Sequence, residues 1–439
     1  MKLWIALGLV MVLGWSPGPS FGETAMTAAK VFQTREGMRV YLVENHANPM
    51  VEVSILTRGG SVFDPVGKEG VAYLTAWMFN EGAGEMDSET FRGRLDYYGI
   101  VMDANAGRDT LGVNMTTLSG HLEEAFGLLS LAVTQPRFAR EDLERARQET
   151  ISTLKQSREH ADWLAGLRLY AMMFPGHGYG HPTIGSEESV ARITLNDVRQ
   201  FHVKSMHGPQ MVMAVAGDVT EATLRQLLEK TMGGVDPRPS PHGPVAATPS
   251  VAEGAVFHVA MDSPQTAIEM GVVAMDREDG DYYPMLVLGQ AFGGHGLTSR
   301  LFEEIREKRG LAYGVNASFS PLEGRGPFVI SMKTKTDTVA EALGLIREEM
   351  TVVARDGLGK QELEDVKRYL TQSFALNFDT LKKQAATWSL IGYYRRGMDY
   401  LQRWPERILG VGEGDVKRVA RRILNPNHFQ TVTVGKTVH

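Results

Sequence analysis

The sequence predicts an α+β protein of two homologous units, each a sheet with helices packed on one face, and three observations carry that expectation. Strand-like runs such as Met38–Val43, Met211–Ala216 and Thr431–Val434 are mixed with long amphipathic helical stretches. Five prolines (Pro237, Pro239, Pro241, Pro244, Pro249) fall between Gly233 and Gly254 among Gly, Ser and Ala, with almost no apolar periodicity, which marks a semi-extended connector. The same order of elements then recurs on either side of it. Phe91–Gly99 followed by Ile100–Met115 matches Phe302–Gly310 followed by Leu311–Met332: a helix end, a glycine, then two strands. The helical stretches His121–Val133 and Val339–Val353 come next. The repeat from Gly99 to Gly310 is 211 residues (310 − 99), the length of a duplicated domain and too long for a solenoid. The expected organisation is a targeting segment at 1–22, a first unit at 23–233, a linker at 234–254 and a second unit at 255–439.

The chain opens with a short positive region, Met1-Lys2, and then 13 apolar residues from Leu3 to Trp15. Ser16–Gly22 supplies helix breakers and small residues at Ser20 and Gly22, which suits cleavage before Glu23 by a signal peptidase. A bilayer span needs about 20 apolar residues, so a retained anchor is the weaker reading. The chain has 439 residues, more than one core holds, with 43% hydrophobic and 22% charged residues, as in ordinary globular proteins. A net charge of −6 without a Lys/Arg run gives no case for nucleic acid or a membrane surface. Cysteine is absent, which excludes disulfides and zinc-thiolate sites; export without disulfides points to a periplasm.

Residues 70–79 read Gly-Val-Ala-Tyr-Leu-Thr-Ala-Trp-Met-Phe. Zinc peptidases of the inverted class carry His-x-x-Glu-His in such a frame: two imidazoles one helical turn apart hold the metal, and the Glu polarises the attacking water. Tyr73, Ala76 and Trp77 stand in those three places. Neither imidazole nor carboxylate is left to hold Zn²⁺ or activate water, so this helix has lost the chemistry its frame suggests.

The frame resembles the pitrilysin/insulinase family of zinc peptidases, and the resemblance continues past it. Ser54–Ser61 is similar to the family's strand and Gly-Gly-Ser turn before the metal helix, and Ala104-Asn105-Ala106 to its Asn-Ala strand. Matched onto the family's third-ligand helix, Glu144–Leu154 puts Thr153 at the ligand Glu and Ala146 at a second Glu seven positions upstream; Glu149 would take the ligand place only with a shifted register. The resemblance implies two pitrilysin-like domains forming half of a clamshell, and peptides binding as an added strand along Ala104, Asn105, Ala106 and Gly107.

Ser299–Tyr313 looks like the family's Arg/Tyr motif, with Arg306 and Tyr313 seven residues apart around Gly310-Leu311-Ala312. A guanidinium and a phenol stabilise the oxyanion that forms when hydroxide attacks a peptide carbonyl. Gly310 would end the helix and let Tyr313 converge on Arg306. On composition alone, Arg306 is one more charge on a solvated face with Glu303, Glu304, Glu307, Lys308 and Arg309. His177-Gly-Tyr-Gly-His181 is expected to be a loop without metal. Gly293-Gly294-His295-Gly296 is expected to permit close packing before a helix. Within the family, some bacterial members divide zinc and the Arg/Tyr pair between two chains. The resemblance therefore implies a non-zinc-binding periplasmic subunit, not a peptidase on its own. It would hold no cofactor and place Arg306 and Tyr313 in a site completed by a zinc-bearing partner. The alternative is a structural, assembly or chaperone-like pseudopeptidase.

Overall fold

A computed structural model of the chain describes residues 28–250, 253–294 and 299–437. The proposed targeting segment at 1–22 and residues 295 and 296 of the glycine-rich turn lie outside them.

The first half contains β1 (Lys30–Gln33), β2 (Arg39–Glu44), β3 (Met50–Arg58), β4 (Val101–Ala106), β5 (Thr110–Leu118) and β6 (Val212–Gly217) in one mixed sheet, ordered β1-β2-β6-β3-β5-β4. Its helices are α1 (Val71–Trp77), α2 (Ser88–Tyr97), α3 (Leu122–Thr134), α4 (Arg140–Ser157), α5 (Ala161–Met173), α6 (Glu187–Arg192), α7 (Leu195–Ser205) and α8 (Glu221–Thr231). The second half repeats the plan with β7 (Val256–Ala260), β8 (Thr266–Val273), β9 (Val315–Phe319), β10 (Pro327–Thr334) and β11 (Gln430–Gly435), ordered β7-β11-β8-β10-β9. Its helices are α9 (Tyr282–Gly293), α10 (Val339–Asp356), α11 (Lys360–Phe374), α12 (Leu381–Tyr393), α13 (Tyr400–Leu409) and α14 (Glu413–Ile423), with a π-helical turn at Phe302–Glu307. The two sheet orders superimpose strand for strand from β2-β6-β3-β5-β4 onto β7-β11-β8-β10-β9. Gly99 and Gly310 close equivalent helices at φ +63° and +62°, a conformation that glycine adopts without strain.

Each half is an α+β unit with helices on one face of its sheet, as the patterning predicts. Val40, Leu42, Val51, Val53, Ile55, Met213 and Val215 bury one face of the first sheet against α2, α3 and α8. The opposite face is also covered, and the cover comes from the other half. Helix α12 lies across β2, β3 and β6, burying Tyr41, Val43, Val212, Ala214 and Ala216 beside Trp388. Reciprocally, α5 lies across β8 and β11, where Ala165, Leu169 and Met173 meet Ala267, Val273, Val432 and Val434. This exchange explains why β6, β8 and β11 are buried along their whole length and lack the apolar–polar alternation of a half-exposed strand.

Glycines set the depth of both contacts. A Cβ on Gly392 of α12 would stand 2.5 Å from Tyr41 Cε2 and 2.6 Å from Val212 Cγ1; one on Gly271 of β8 would stand 2.7 Å from Met173 Sδ. Gly392→Val should therefore lower unfolding stability by about 1–3 kcal/mol through overpacking. Gly344→Ala, in an exposed stretch of α10 with open space around it, should raise it by about 0.5–1 kcal/mol. Urea denaturation of both variants tests the pair.

Glu269 on β8 is buried beneath α5 and accepts a hydrogen bond from Ser331 Oγ at 2.7 Å. Burial, with Asp162 nearby adding repulsion, raises its carboxyl from 4.5 to about 7. Because the folded-state pKa is raised, its stability contribution is complete below about pH 4.5 and is lost as pH rises through 7. Glu269→Gln should thus be more stable than wild type at pH 8 and lose that advantage at pH 4.5, in urea titrations at the two pH values.

Candidate functional site

The degenerate metal helix α1 is anchored at its start by Asp64, whose carboxylate accepts from Gly70 N at 2.7 Å and Ala72 N at 2.9 Å. Burial raises that carboxyl to about 8. The helix packs against β4, α4 and α7, so the frame of a metal site is assembled. What fills it is apolar. Ala76 is fully packed, while Tyr73 and Trp77 are half-buried against a cluster that includes Leu74, Ala146, Ile151 and Leu154. Burial, and secondarily Glu149, hold the Tyr73 phenol above its usual pKa. On α4, Ala146 is buried, and Thr153 and Glu149 are exposed. Among the described residues no group of three or more His, Asp or Glu is placed to hold a metal ion.

The position next to the vacated ligands carries an ionic cluster that the sequence pattern did not reveal. Glu81 is 1% exposed, pairs with both Arg92 and Arg145, and accepts from Ser88 Oγ at 2.6 Å. Arg145 also meets Asp142 at 2.9 Å and places its guanidinium 5.5 Å from the Trp77 ring. Arg145 thus ties α4 to the end of α1, joining by charge the two helices that zinc ligands would otherwise join. The only local hint was a Glu set between Phe79-Asn80 and Gly82.

Strand β4 ends the sheet order, beside β5 alone. Of the residues expected to meet a peptide, Asn105 is exposed, and Ala104, Ala106 and Gly107 are half-buried. The Gly107 carbonyl is already taken by Ser61 N at 2.9 Å, and Asn80 Nδ2 donates to the Met102 carbonyl at 3.1 Å. Addition of a strand is therefore confined to the groups between them.

Arg306 and Tyr313 do converge. The chain leaves the π-helical turn through Gly310, and Tyr313 stands two residues before β9, which is itself a sheet edge. The Arg306 guanidinium lies 4.8 Å from the Tyr313 ring and 4.7 Å from that of Phe302. Its charged neighbours are occupied with one another: Lys308 with Glu303 and Glu304, and Arg309 with Glu304. Among the described acids, Glu307 is the one that approaches Arg306, at 4.0 Å. Tyr313 is 87% exposed, so the phenol faces outward.

The His177–His181 loop is structural. Tyr179 is fully buried, His177 Nε2 contacts the Ala246 carbonyl at 3.0 Å, and burial pushes the His181 imidazole down. Gly293 allows close packing, since a Cβ there would meet Ala317 Cβ at 2.5 Å.

Metal binding can be rebuilt only in full. Tyr73→His/Ala76→Glu/Trp77→His should bind zinc weakly, because Thr153 supplies no third ligand, and it should cost stability because Ala76 is packed. Adding Thr153→Glu should tighten binding markedly; competition against a chelating dye measures both.

A family model described as insulinase, peptidase family M16, matches residues 39–187, and one described as peptidase M16 inactive domain matches residues 192–370. A Helicobacter pylori protein named non-peptidase homolog YmxG is 25% identical over 371 residues, 83% of each chain. A Bacillus subtilis protein named uncharacterized zinc protease YmxG is 22% identical over 356 residues, 80% of this chain and 85% of that one. The crystal structure of a peptidase M16 inactive domain from Pseudomonas fluorescens aligns with a TM-score of 0.88 at 26% identity, over 93% of this chain and 98% of that one. With the duplicated fold, the matching frame around Tyr73, Ala76 and Trp77 and the two adjoining family models, the chain belongs to peptidase family M16, as a homologue whose zinc motif has lost its ligands.

Proposed function

We propose that this protein is the zinc-less subunit of a heteromeric periplasmic M16 metallopeptidase, presenting Arg306 and Tyr313 to a peptide held at the zinc site of a homologous partner. The observation that carries this reading is the coexistence of an apolar, refilled metal helix with an intact and exposed Arg/Tyr pair. A scaffold has no need for a guanidinium and a phenol set side by side at a sheet edge. The name of the Helicobacter pylori relative, non-peptidase homolog, agrees with the zinc-less part of this reading. In the proposed complex, zinc and its bound water belong to the partner. Arg306 and Tyr313 would donate hydrogen bonds to the carbonyl oxygen as it becomes an oxyanion, and β4 at Ala104–Gly107 would align the peptide backbone. Residues 1–22 would direct export and be cleaved off in the process. The second reading, a pseudopeptidase with a structural or chaperone role, is favoured by the Arg145–Glu81 cluster, which makes α1 and α4 self-sufficient without metal.

The mature chain alone should show no peptidase activity and should co-purify from its native source with an M16 chain carrying His-x-x-Glu-His. In the reconstituted pair, Tyr313→Phe should lower turnover by about 100- to 1,000-fold while leaving assembly intact. Arg306→Ala should do the same, after a circular dichroism check that loss of its packing on Phe302 has not unfolded the turn. Full turnover by the Tyr313→Phe pair would leave this chain a scaffold.

A further inference from the structure

Where the two halves meet, a cavity of about 410 Å³ is lined from both sides by arginines: Arg39 on β2 and Arg58 on β3 from the first half, Arg277 and Arg395 from the second. Its two carboxylates, Glu323 and Glu278, are already engaged. Glu323 pairs with Arg58, and Glu278 pairs at 2.7 Å with Arg396. Arg39, Arg277 and Arg395 have no ion-pair partner among the described residues. Arg39 spends one N–H on the Gly392 carbonyl at 3.2 Å, and Arg277 spends one on the Pro321 carbonyl at 2.8 Å while stacking on the Tyr394 ring at 3.9 Å.

One further feature is unexplained by folding alone. The Nε of Arg277 is buried with no hydrogen-bond partner, a donor that costs free energy unless something accepts from it. Arg395 holds a left-handed backbone at φ 51° where α12 ends, and there the Arg396 amide donates to the Ile391 carbonyl at 3.0 Å to close the helix, which carries the Arg395 side chain to the cavity wall. His242 closes another wall; burial first, then Lys204, Arg58 and His207, push its imidazole down to about 4, which keeps it neutral beside so much positive charge. The cavity volume is within the range of small-molecule sites.

We infer that this cavity binds a compact organic polyanion, a di- or tricarboxylate or a phosphate ester, held between Arg39 of one half and Arg277 and Arg395 of the other. Such a ligand would bridge the halves with charge-assisted hydrogen bonds and stiffen the joint between them. The inference is independent of any peptidase partner.

Calorimetric titration of the mature chain with citrate and with pyrophosphate, at low ionic strength, tests it. At least one probe should bind saturably and raise the melting temperature, and binding should weaken as salt is added. Tighter binding of citrate assigns a carboxylate ligand, and of pyrophosphate a phosphate ligand. Arg395→Gly is the cleanest variant, because it removes the cation while relieving the backbone, so it should fold and bind at least tenfold more weakly. Arg39→Gln should do likewise, and Arg355→Gln, on a surface pair with Asp356, should leave binding unchanged. Absence of saturable binding by both probes, or equal binding by wild type and the Arg39→Gln/Arg395→Gly double variant, overturns the inference.

Discussion

The structure depends on an exchange of helices between its halves. Each sheet has one face that its own helices do not reach, and each is closed by a single helix from the other half, α12 in one direction and α5 in the other. An uncovered face on either sheet would leave Tyr41, Val43 and Val212, or Ala267 and Val434, in water, at a cost proportional to the apolar area. The halves are therefore one cooperative body more than two domains on a tether, and the glycines at 392 and 271 exist to let the helices approach.

A polar hub sits at the same seam and orients it. Asp109, 2% exposed in the turn between β4 and β5, accepts from Tyr179 at 2.5 Å, from Tyr394 at 2.9 Å and from the Glu323 backbone at 2.8 Å. Tyr393 donates to the Asp109 carbonyl at 3.1 Å. Burial holds all three phenols above their usual pKa, so they remain donors at any physiological pH. Apolar contact supplies the adhesion between halves, and this directional network sets their angle. The turn it fixes directly follows β4, so the peptide-edge candidate inherits its position from the seam.

Loss of zinc has been accommodated rather than left as a hole. A metal site with its ligands trimmed to small residues would leave a cavity, and cavities destabilise in proportion to their volume. Here Tyr73 and Trp77 occupy the space, and Arg145 on Trp77, paired with Glu81, restores a cross-link between α1 and α4. Arg306 and Tyr313 show the opposite treatment: Tyr313 is 87% exposed, and Glu303 and Glu304 are drawn off by Lys308 and Arg309. One site has become core and the other has stayed surface.

Much of this was legible in the linear chain. Residue identity alone removes zinc chemistry at 73, 76 and 77, since no fold makes a ligand of Ala or Trp. The duplication is visible because local periodicities and the glycines at 99 and 310 repeat in order; the Arg306–Tyr313 pair stands out through its resemblance to a family motif, and a helix-ending glycine between them makes their convergence a local matter. The helix exchange, the Asp109 hub, the Arg145–Glu81 tie and the arginine-lined cavity were decided only by the tertiary structure. Their members are far apart in sequence: Asp109 and Tyr394 are separated by 285 positions, Ser54 of β3 and Ser389 of α12, whose hydroxyls meet at 3.1 Å, by 335, and Glu81 and Arg145 by 64. Periodicity reports which face of an element is apolar, but it carries no information on which distant element covers that face. That choice is made by shape and charge once the sheets have formed.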